Sequence, residues 1–244
     1  PGDAELLTIK AMRALQRADG ILFDDLVSAE VLELARREAK RMLVGKRGGR
    51  SSCKQDDINA MMLQWAQAGK TVVRLKAGDP MVFGRAGEEI AFLERHNIPV
   101  EVIPGVTAAA GMAAQLGVSL THRDHAQTLR FVTGHRRKGK LPDTIDWRGV
   151  AEANSTTIFY MGGRTARSIK DDLLHHGLSA ATPVSIVSSV SRPNTQVWHG
   201  HLSDLGSGID QIGVDEPVLI GVGQAFAAAL GTDARAPKSQ TEAA

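Results

Sequence analysis

The chain has 244 residues, 43% of them hydrophobic, which suffices for one large domain or two small ones with a buried core. Its 29 Lys and Arg residues nearly balance 27 Asp and Glu residues, so no global charge points to nucleic acid as a partner. The single cysteine, Cys53, excludes an intrachain disulfide, and we expect a reducing, cytoplasmic environment. The sequence predicts neither a membrane span nor a signal peptide.

The first part of the chain alternates helical and strand patterns. An apolar stripe at helical spacing predicts a helix over residues 5–18, with Asp3 as its cap. Because strands that alternate with helices favour a parallel sheet, we expect an α/β domain with a mostly parallel sheet here. The elements expected next are strands over residues 21–23 and 42–44, a helix capped by Ser28 between them, and a helix over residues 55–68.

Residues 76–89 form the most informative stretch and read Lys-Ala-Gly-Asp-Pro-Met-Val-Phe-Gly-Arg-Ala-Gly-Glu-Glu. They follow an apolar run at residues 72–75 that predicts a buried strand, and they lead into a helical pattern over residues 88–95. A strand-to-helix loop of this kind lies at the carboxyl edge of a parallel sheet, where α/β proteins bind ligands. An ordinary turn followed by a capped helix is the alternative.

The residue types within this loop suit a ligand site. Gly78 and Gly84 allow the backbone to approach a ligand closely. Asp79, followed by proline, fixes a tight turn. Arg85 and Glu88 lie one helical turn apart on the same side.

A second loop of interest follows a predicted strand at residues 100–103. There, Pro104 and Gly105 turn the chain into a helix of small residues over residues 107–115. Close packing of this helix on a sheet is one interpretation, and a ligand held at its amino end is the other.

The pattern changes near residues 117–124. Beyond them one strong helix, over residues 164–176, separates several candidate strands, which predicts a second α/β domain with a mixed sheet. The candidate strands are residues 129–133, 157–161, 184–190, 196–198 and 218–222. We therefore expect an N-terminal domain over residues 1–123, a C-terminal domain over residues 124–230 and a disordered tail over residues 231–244.

The sequence contains two other candidate sites besides these loops. His122, Asp124 and His125 could bind a metal, but surface or hydrogen-bonded histidines are the favoured interpretation, so we expect no metal. The basic run at residues 135–140 lacks interleaved aromatic residues for base stacking. A solvated loop is therefore favoured there, with a rim for an anionic ligand as the second interpretation.

Several charged residues lie on loops beyond strand ends. Loops that each carry Arg or Lys indicate a polyanionic substrate, and the guanidinium fork suits carboxylates because it binds them through two hydrogen bonds. The set is Asp24, Lys46, Asp79, Arg85, Glu88 and Arg123.

These residues occur within motifs that together resemble the tetrapyrrole methylase family. The motifs are Pro-Gly-Asp at residues 1–3 with Leu-Leu-Thr at 6–8, Gly-Lys-Arg at 45–47, Gly-Asp-Pro at 78–80 with Phe-Gly-Arg at 83–85, Pro-Gly-Val-Thr-Ala at 104–108, and Leu-Thr-His-Arg-Asp at 120–124. The resemblance is collinear from Pro1 to about Gly223. The last motif and Thr-Gly-His at residues 133–135 favour the uroporphyrinogen-methylating members over precorrin-methylating and diphthine-forming relatives.

The resemblance implies two α/β domains with the active site in the cleft between them, S-adenosylmethionine as the methyl donor, and a homodimer. It places the proton-transfer pair on Asp24 and Lys46, with Arg85 positioning and polarising the substrate. The implied tetrapyrrole contacts are Arg85, Glu88, Arg123 and Met161. The implied cofactor contacts are Pro1, Ala77, Gly78, Asp79, Val82, Thr107, Ala108, Met161 and Val190.

The implied chemistry agrees with the charged loops. Uroporphyrinogen III is fringed with carboxylates, and its nucleophilic pyrrole carbons can attack a sulfonium methyl directly, so the reaction needs no metal. Successive methylations would give precorrin-2, a precursor of sirohaem, cobalamin and haem d. The chain departs from the family pattern at Phe23, Asp25, Ala77 and Val190, and Asp25 changes the charge near the substrate. The family's first strand does not precede Pro1 here, so we expect either a longer gene product or a clipped sequence.

Two other functions are also compatible with the sequence. One is a methylase of the same fold that acts on a later corrin intermediate or on a protein side chain, although Arg85 and Arg123 argue against it. The other is an anion- or nucleic-acid-binding module that uses residues 135–140 and would bind polynucleotides in a salt-dependent way.

Overall fold

The computed structural model describes residues 1–45, 53–135 and 141–231, and the chain divides into two compact units, Pro1–Ala108 and Ala109–Ala244. Both units combine helices with a sheet, and the sheet is parallel in the first and mixed in the second. The predicted α/β class and both sheet types are therefore confirmed. The boundary expected after residue 123 stays a prediction about the functional domains. Lys46, residues 136–140 and the tail after residue 231 lie outside the described residues.

The first unit has a sheet whose described strands follow the order β2-β1-β3, all parallel. Short apolar runs form these strands, and the intervening helices cross over the sheet as parallel connections require. Its elements are a 3-10 helix Ala4–Leu6, α1 Ile9–Arg17, β1 Gly20–Phe23, α2 Ala29–Glu33, β2 Lys40–Leu43, α3 Gln55–Gln67, β3 Val72–Leu75 and α4 Ala86–Glu94, and α5 Ala108–Leu116 begins at its last residue.

This sheet carries an apolar layer on each face because side chains alternate along a strand. On one face, Ile21 of β1 packs in a buried cluster with Leu15 of α1. On the other face, Leu22 of β1 packs with Met62 of α3 and Leu93 of α4. The side chains that share the direction of Leu22 therefore point towards α3 and α4.

The helix predicted over residues 5–18 is wrong in one respect, because the chain interrupts it. Asp3 caps the 3-10 helix by accepting a hydrogen bond from the Glu5 amide at 2.8 Å. The backbone then becomes extended, and the Thr8 hydroxyl accepts from the Ala11 amide at 3.2 Å. A second capping residue starts a new helix, so the apolar stripe belongs to two elements.

The strand predicted at residues 100–103 is also wrong. Val100 and Val102 are 38% and 40% exposed, and they line a cavity of about 1270 Å³ together with β3. A strand needs a hydrogen-bonded neighbour, and among the described residues β3 ends the sheet without pairing to this segment. The apolar pattern is present, but the ladder that would make it a strand is not formed.

The second unit has a described sheet in the order β4-β5-β8-β6-β7, in which only β4 and β5 pair in parallel. Since β5 and β6 are both antiparallel to β8, they run in the same direction and end at the same edge. The elements are β4 Thr128–Thr133, α6 Trp147–Val150, β5 Ser155–Tyr160, a 3-10 helix Gly163–Thr165, α7 Ala166–His175, β6 Pro183–Ser188, β7 Gln196–His201, a 3-10 helix Leu202–Asp204, α8 Leu205–Ile212, β8 Val218–Val222 and a 3-10 helix Gln224–Gly231.

The expectation of one strong helix in this unit is wrong, because α6 and α8 accompany α7. Two glycines in α8, Gly206 and Gly208, lower its helical propensity and hide it from sequence analysis. A Cβ on Gly208 would lie 2.6 Å from the Trp198 ring, so the glycine allows α8 to pack directly on β7. In the described part of the chain, the helices are too short or too polar to cross a membrane.

Candidate active site

The loop after β3 is held by the carboxylate of Asp79. One carboxylate oxygen accepts a hydrogen bond from the Met81 amide at 2.8 Å, and the other accepts from the Gly105 amide at 3.0 Å. The first bond closes the turn expected from the sequence. The second ties this loop to the segment that leads into α5, so the side chain of Asp79 joins the two glycine-containing loops.

Glycine is required where these two loops touch. A Cβ on Gly105 would lie 2.2 Å from the carbonyl oxygen of Gly78, which is far inside van der Waals contact. Gly78 itself has a φ of +74°, and a Cβ there would lie 3.8 Å from the Ala108 amide nitrogen and 3.9 Å from the Cδ of Pro1. The loops therefore pack backbone against backbone, and Pro1, Gly78 and Gly105 line a recess beside the start of α5.

The same loop ends in a left-handed backbone at Phe83 and Arg85, with φ values of 53° and 55°. Such conformations cost free energy for residues other than glycine and concentrate at functional sites. Gly84 lies between them, and a Cβ on it would lie 2.4 Å from the Pro80 carbonyl oxygen. The tight fold turns Arg85 outward, and its side chain is 48% exposed.

Arg85 and Glu88 form the pair expected from their spacing. The Nε and Nη2 groups of Arg85 donate to the two carboxylate oxygens of Glu88 at 2.9 Å and 2.6 Å. These hydrogen bonds raise the pKa of Arg85 above its usual value, so the guanidinium stays charged. Nη1 makes no hydrogen bond to another described residue.

Asp24 follows β1 at the same carboxyl edge and is held by Arg74. Nη2 of Arg74 donates to Oδ1 of Asp24 at 2.6 Å, and the Asp24 side chain keeps 30% of its surface exposed. The expected partner, Lys46, lies outside the described residues. Gly45, which precedes it, is close enough that a Cβ there would lie 3.1 Å from the Asp24 Cα atom.

Behind Asp24 lies a buried charged cluster that was not predicted from the sequence. Glu89 of α4 is 4% exposed, and it accepts hydrogen bonds from Nε of Arg74 at 3.1 Å, from Lys76 at 3.2 Å and from Gln55 at 3.0 Å. Burial is the main cause that lowers the pKa of Lys76, and the charge of Arg74 adds to it. The available signal was an arginine inside the otherwise apolar run Val-Val-Arg-Leu.

In the second unit, left-handed residues again follow strand ends. Met161 after β5 has a φ of 57° and is 49% exposed, whereas Val190 after β6 is buried between Ser189 and Ser191. Those two serines have φ values of 52° and 55°. The candidates Met161 and Val190 thus follow strands that end at the same edge of this sheet. Neither strand continues as far as predicted, because the left-handed residue leaves the extended conformation.

The structure also shows two polar contacts of α5 that sequence analysis missed. The Tyr160 hydroxyl accepts from the Ala109 amide at 3.0 Å, which satisfies one of the amides left free at the start of a helix. The Ser191 amide donates to the Gln115 side chain at 3.1 Å. Both contacts attach α5 to the strand-end loops that carry Met161 and Val190.

The remaining candidates lie on the loop before β4. Arg123 is exposed, and its carbonyl oxygen accepts from the Gln127 side chain at 2.8 Å. The rings of His122 and His125 stack with centroids 4.0 Å apart, and the Asp124 amide donates to Nδ1 of His122 at 3.2 Å. Within residues 1–45, 53–135 and 141–231, no group of three His, Cys, Asp or Glu side chains is arranged to hold a metal ion.

A comparison with protein families matches residues 1–206 to the family described as Tetrapyrrole (Corrin/Porphyrin) Methylases. Among curated proteins, siroheme synthase 2 of Yersinia enterocolitica is 47% identical over 221 residues, which is 91% of this chain and 46% of that protein. Siroheme synthase of Actinobacillus pleuropneumoniae is 48% identical over 92% of this chain and 45% of its own length. The chain thus spans about half the length of the curated relatives it matches.

Solved structures show the same fold. The uroporphyrin-III C-methyl transferase of Thermus thermophilus, complexed with S-adenyl homocysteine, is 38% identical with a TM-score of 0.79, covering 93% of this chain and 95% of that one. A cobalt precorrin-4 methyltransferase has a TM-score of 0.82 at 26% identity, covering 93% and 92% of the two chains. The resemblance found in the sequence motifs is therefore confirmed at the level of the family and of its fold.

Proposed function

Because the chain belongs to the tetrapyrrole (corrin/porphyrin) methylases, we propose that it transfers methyl groups from S-adenosylmethionine to ring carbons of uroporphyrinogen III, giving precorrin-2. The main support for this substrate is Arg85, because its left-handed backbone places an exposed guanidinium at the carboxyl edge of the sheet. Glu88 orients the guanidinium, and Nη1 is left for a substrate carboxylate. The higher identity to the uroporphyrin-III enzyme than to the cobalt precorrin-4 enzyme supports the same choice.

The recess beside α5 fits the methyl donor, which would supply an electrophilic methyl group carried on a sulfonium. Gly78 and Gly105 line it without side chains, so part of its wall is backbone. Such a wall can bind an extended ligand through amides and carbonyl groups. On the family resemblance, the cofactor contacts are assigned to Pro1, Ala77, Gly78, Asp79, Val82, Thr107 and Ala108 in the first unit and to Met161 and Val190 in the second.

Asp24 is assigned the proton transfer. When the new carbon–carbon bond forms, the ring must lose a proton to restore its conjugation, and a carboxylate in reach can accept it. One oxygen of Asp24 is held by Arg74 while the side chain stays partly exposed, which suits an acceptor at the edge of the sheet. Lys46 is assigned as the second member of the pair on the family resemblance.

Arg123 and Met161 are assigned to the tetrapyrrole on the same resemblance. Both are exposed, Arg123 on the loop before β4 and Met161 at the end of β5. A cationic group would meet a carboxylate, and a polarizable thioether would meet the ring. A cytoplasmic homodimer without a metal requirement completes the proposal.

The first test replaces Arg85 by lysine, which keeps the charge and removes the fork. Hydrogen bonds to charged groups are worth roughly 1.5–3 kcal/mol each, so we expect Arg85→Lys to weaken uroporphyrinogen III binding by about ten- to a hundredfold. Anaerobic assays with S-adenosylmethionine would give the apparent affinity and the rate. Product mass would distinguish methylated uroporphyrinogen from methylation of a later corrin intermediate.

Arg167→Lys is the matched control. Arg167 pairs with both carboxylate oxygens of Asp210 at 2.8 Å and 2.6 Å on an exposed surface of the second unit. If Arg85 and Glu88 form only a surface pair, worth about 0.5 kcal/mol, the two variants should behave alike. Wild-type affinity and rate in Arg85→Lys would show that Arg85 does not bind carboxylates of the substrate.

A further inference from the structure

The carboxyl edge of the first sheet contains a line of charges that is buried at one end and reaches solvent at the other. Asp24, Arg74 and Lys76 share the direction of Leu22, because residues two apart on a strand point to the same face. They therefore face α3 and α4. Glu89 of α4 lies at the buried end of the line, where it accepts hydrogen bonds from Arg74 and Lys76. The side chains of Glu89, Lys76 and Arg74 are 5%, 7% and 12% exposed.

Arg74 is fixed more completely than an ion pair with Asp24 alone would require. Nε donates to Glu89, Nη1 donates to the carbonyl oxygens of Leu22 at 3.4 Å and of Leu75 at 3.1 Å, and Nη2 donates to Asp24. Partners on three sides leave the planar guanidinium a single orientation. The position of its Nη2 group is therefore set by the core and not by Asp24.

Asp24 is bound asymmetrically as a result. Its Oδ1 atom accepts the bond from Arg74, whereas its Oδ2 atom has no hydrogen-bond partner among the described residues. One fixed oxygen prevents the carboxylate from rotating away, and the other stays available at the exposed edge. This is the geometry that a proton acceptor needs, because proton transfer requires the acceptor within hydrogen-bond reach of the reacting atom.

The buried cluster is not needed simply to hold the fold together. Buried ion pairs contribute little net stability compared with apolar residues of similar size, because the charges must first lose their hydration. A cluster of Arg74, Lys76 and Glu89 between two apolar layers therefore calls for a role other than stability. Among the described residues, the cluster is hydrogen-bonded to the exposed edge through Asp24.

We propose that Arg74 is a positioning residue that holds the Asp24 carboxylate for proton transfer, with Glu89 and Lys76 as the buried anchor of Arg74. The inference rests on the function proposed for Asp24. In the reaction, the ring carbon bonds to the methyl carbon as the sulfur–methyl bond breaks, and the proton lost by the ring passes to Oδ2 of Asp24. In this role Arg74 acts through Asp24 and would not itself contact the substrate or the methyl donor.

The test combines Arg74→Lys with Asp24→Asn in a double-mutant cycle. We expect Arg74→Lys to lower kcat by about ten- to a hundredfold, since it loses orientation but keeps a charge. The KM for both substrates and the affinity for S-adenosylhomocysteine, measured by calorimetry, should not change. In the Asp24→Asn background, Arg74→Lys should cause no further loss, because both changes remove the same effect.

Two further variants keep the test decisive. Glu89→Gln retains the volume of the anchor and removes its charge, so it should lower the kcat of the folded protein selectively, and urea denaturation of each variant would give its folded fraction. Arg36→Lys is the control, because Arg36 pairs with Asp19 at the other end of β1 and should leave kcat unchanged. Losses that multiply in the double variant, or that appear equally in KM and cofactor affinity, would overturn the proposal.

A spectroscopic signature separates this inference from the proposed function. With ¹³C-labelled aspartate, the carboxyl resonance of Asp24 should move in Arg74→Lys and stay in place in Arg36→Lys, whether or not the enzyme turns over. A wild-type chain that methylates no tetrapyrrole would refute the function while the resonance still reports the positioning. An unmoved Asp24 resonance would refute the positioning even in an active enzyme.

Discussion

Strand β1 begins and ends beside a carboxylate, and the two carboxylates are held in different ways. Asp19, before the strand, pairs with Arg36 and accepts a hydrogen bond from the Thr71 amide at 2.8 Å. Both members of that pair are 39% exposed. Asp24, after the strand, pairs with an arginine that is itself bound to the buried Glu89.

The two ends of β1 differ in whether their charged side chains are exposed or buried. At the amino edge, the pair of Asp19 and Arg36 is exposed, and exposed ion pairs contribute little to stability. At the carboxyl edge, the charges extend into the core, and the nearby loops contain left-handed residues such as Phe83 and Arg85. Buried charge and backbone strain in the same place are typical of functional sites in α/β proteins.

The largest expected effect on stability comes from removing the anchor of the buried cluster. Glu89→Ala would leave Arg74 and Lys76 as buried cations without their carboxylate, which costs about 3–5 kcal/mol of unfolding free energy. Urea denaturation would measure the loss. The control is Glu152→Ala, which breaks the partly exposed pair with Arg130 and should cost no more than about 1 kcal/mol. Equal losses in the two variants would mean that the cluster is not buried in solution.

A smaller effect is expected where the two loops touch. Gly105→Ala would push a methyl group against the Gly78 carbonyl oxygen, and overpacking of this kind costs about 1–3 kcal/mol. It should also weaken S-adenosylhomocysteine binding, because the recess is lined by these backbones.

Gly87→Ala is the control, since a Cβ there meets nothing within 4 Å in the first turn of α4. It should stabilise the chain by up to about 1 kcal/mol through helix propensity. A Gly105→Ala variant as stable as wild type would disprove the close contact.

Much of this edge was predictable from the sequence because its signals are local. Apolar runs followed by polar turns placed β1 and β3, and the Gly-Asp-Pro turn marked the loop that carries Arg85. The spacing of Arg85 and Glu88 on a helix start was enough to expect their pairing. Each of these features depends on residues within one helical turn or one strand.

The features that could not be predicted depend on contacts between residues that are distant in the sequence. Arg74 and Glu89 belong to a strand and a helix, and no local pattern states that they meet. The strand expected at residues 100–103 depends on a neighbouring strand, so the apolar run alone could not decide it. In α8, Gly208 lowers the helical propensity, although in the fold it admits the Trp198 ring. Tertiary packing decided all three cases.

The smallest expected effect concerns the amino edge and its dependence on pH. The Thr71 amide is the main cause that lowers the pKa of Asp19, with the charge of Arg36 adding to it. An acid whose pKa is lower in the folded state stabilises the fold above its unfolded pKa, near 4, and loses that contribution as the pH falls through the folded value.

Asp19→Asn has no such titration. The difference in unfolding free energy between wild type and Asp19→Asn should therefore be constant from neutral pH down to about pH 5 and shrink below about pH 4. Urea denaturation of both proteins at a series of pH values would measure it, with Asp210→Asn, at an exposed pair of the second unit, as a comparison. A difference that does not change with pH would show that Asp19 is not held by the Thr71 amide, and the contrast between the two ends of β1 would then rest on Asp24 alone.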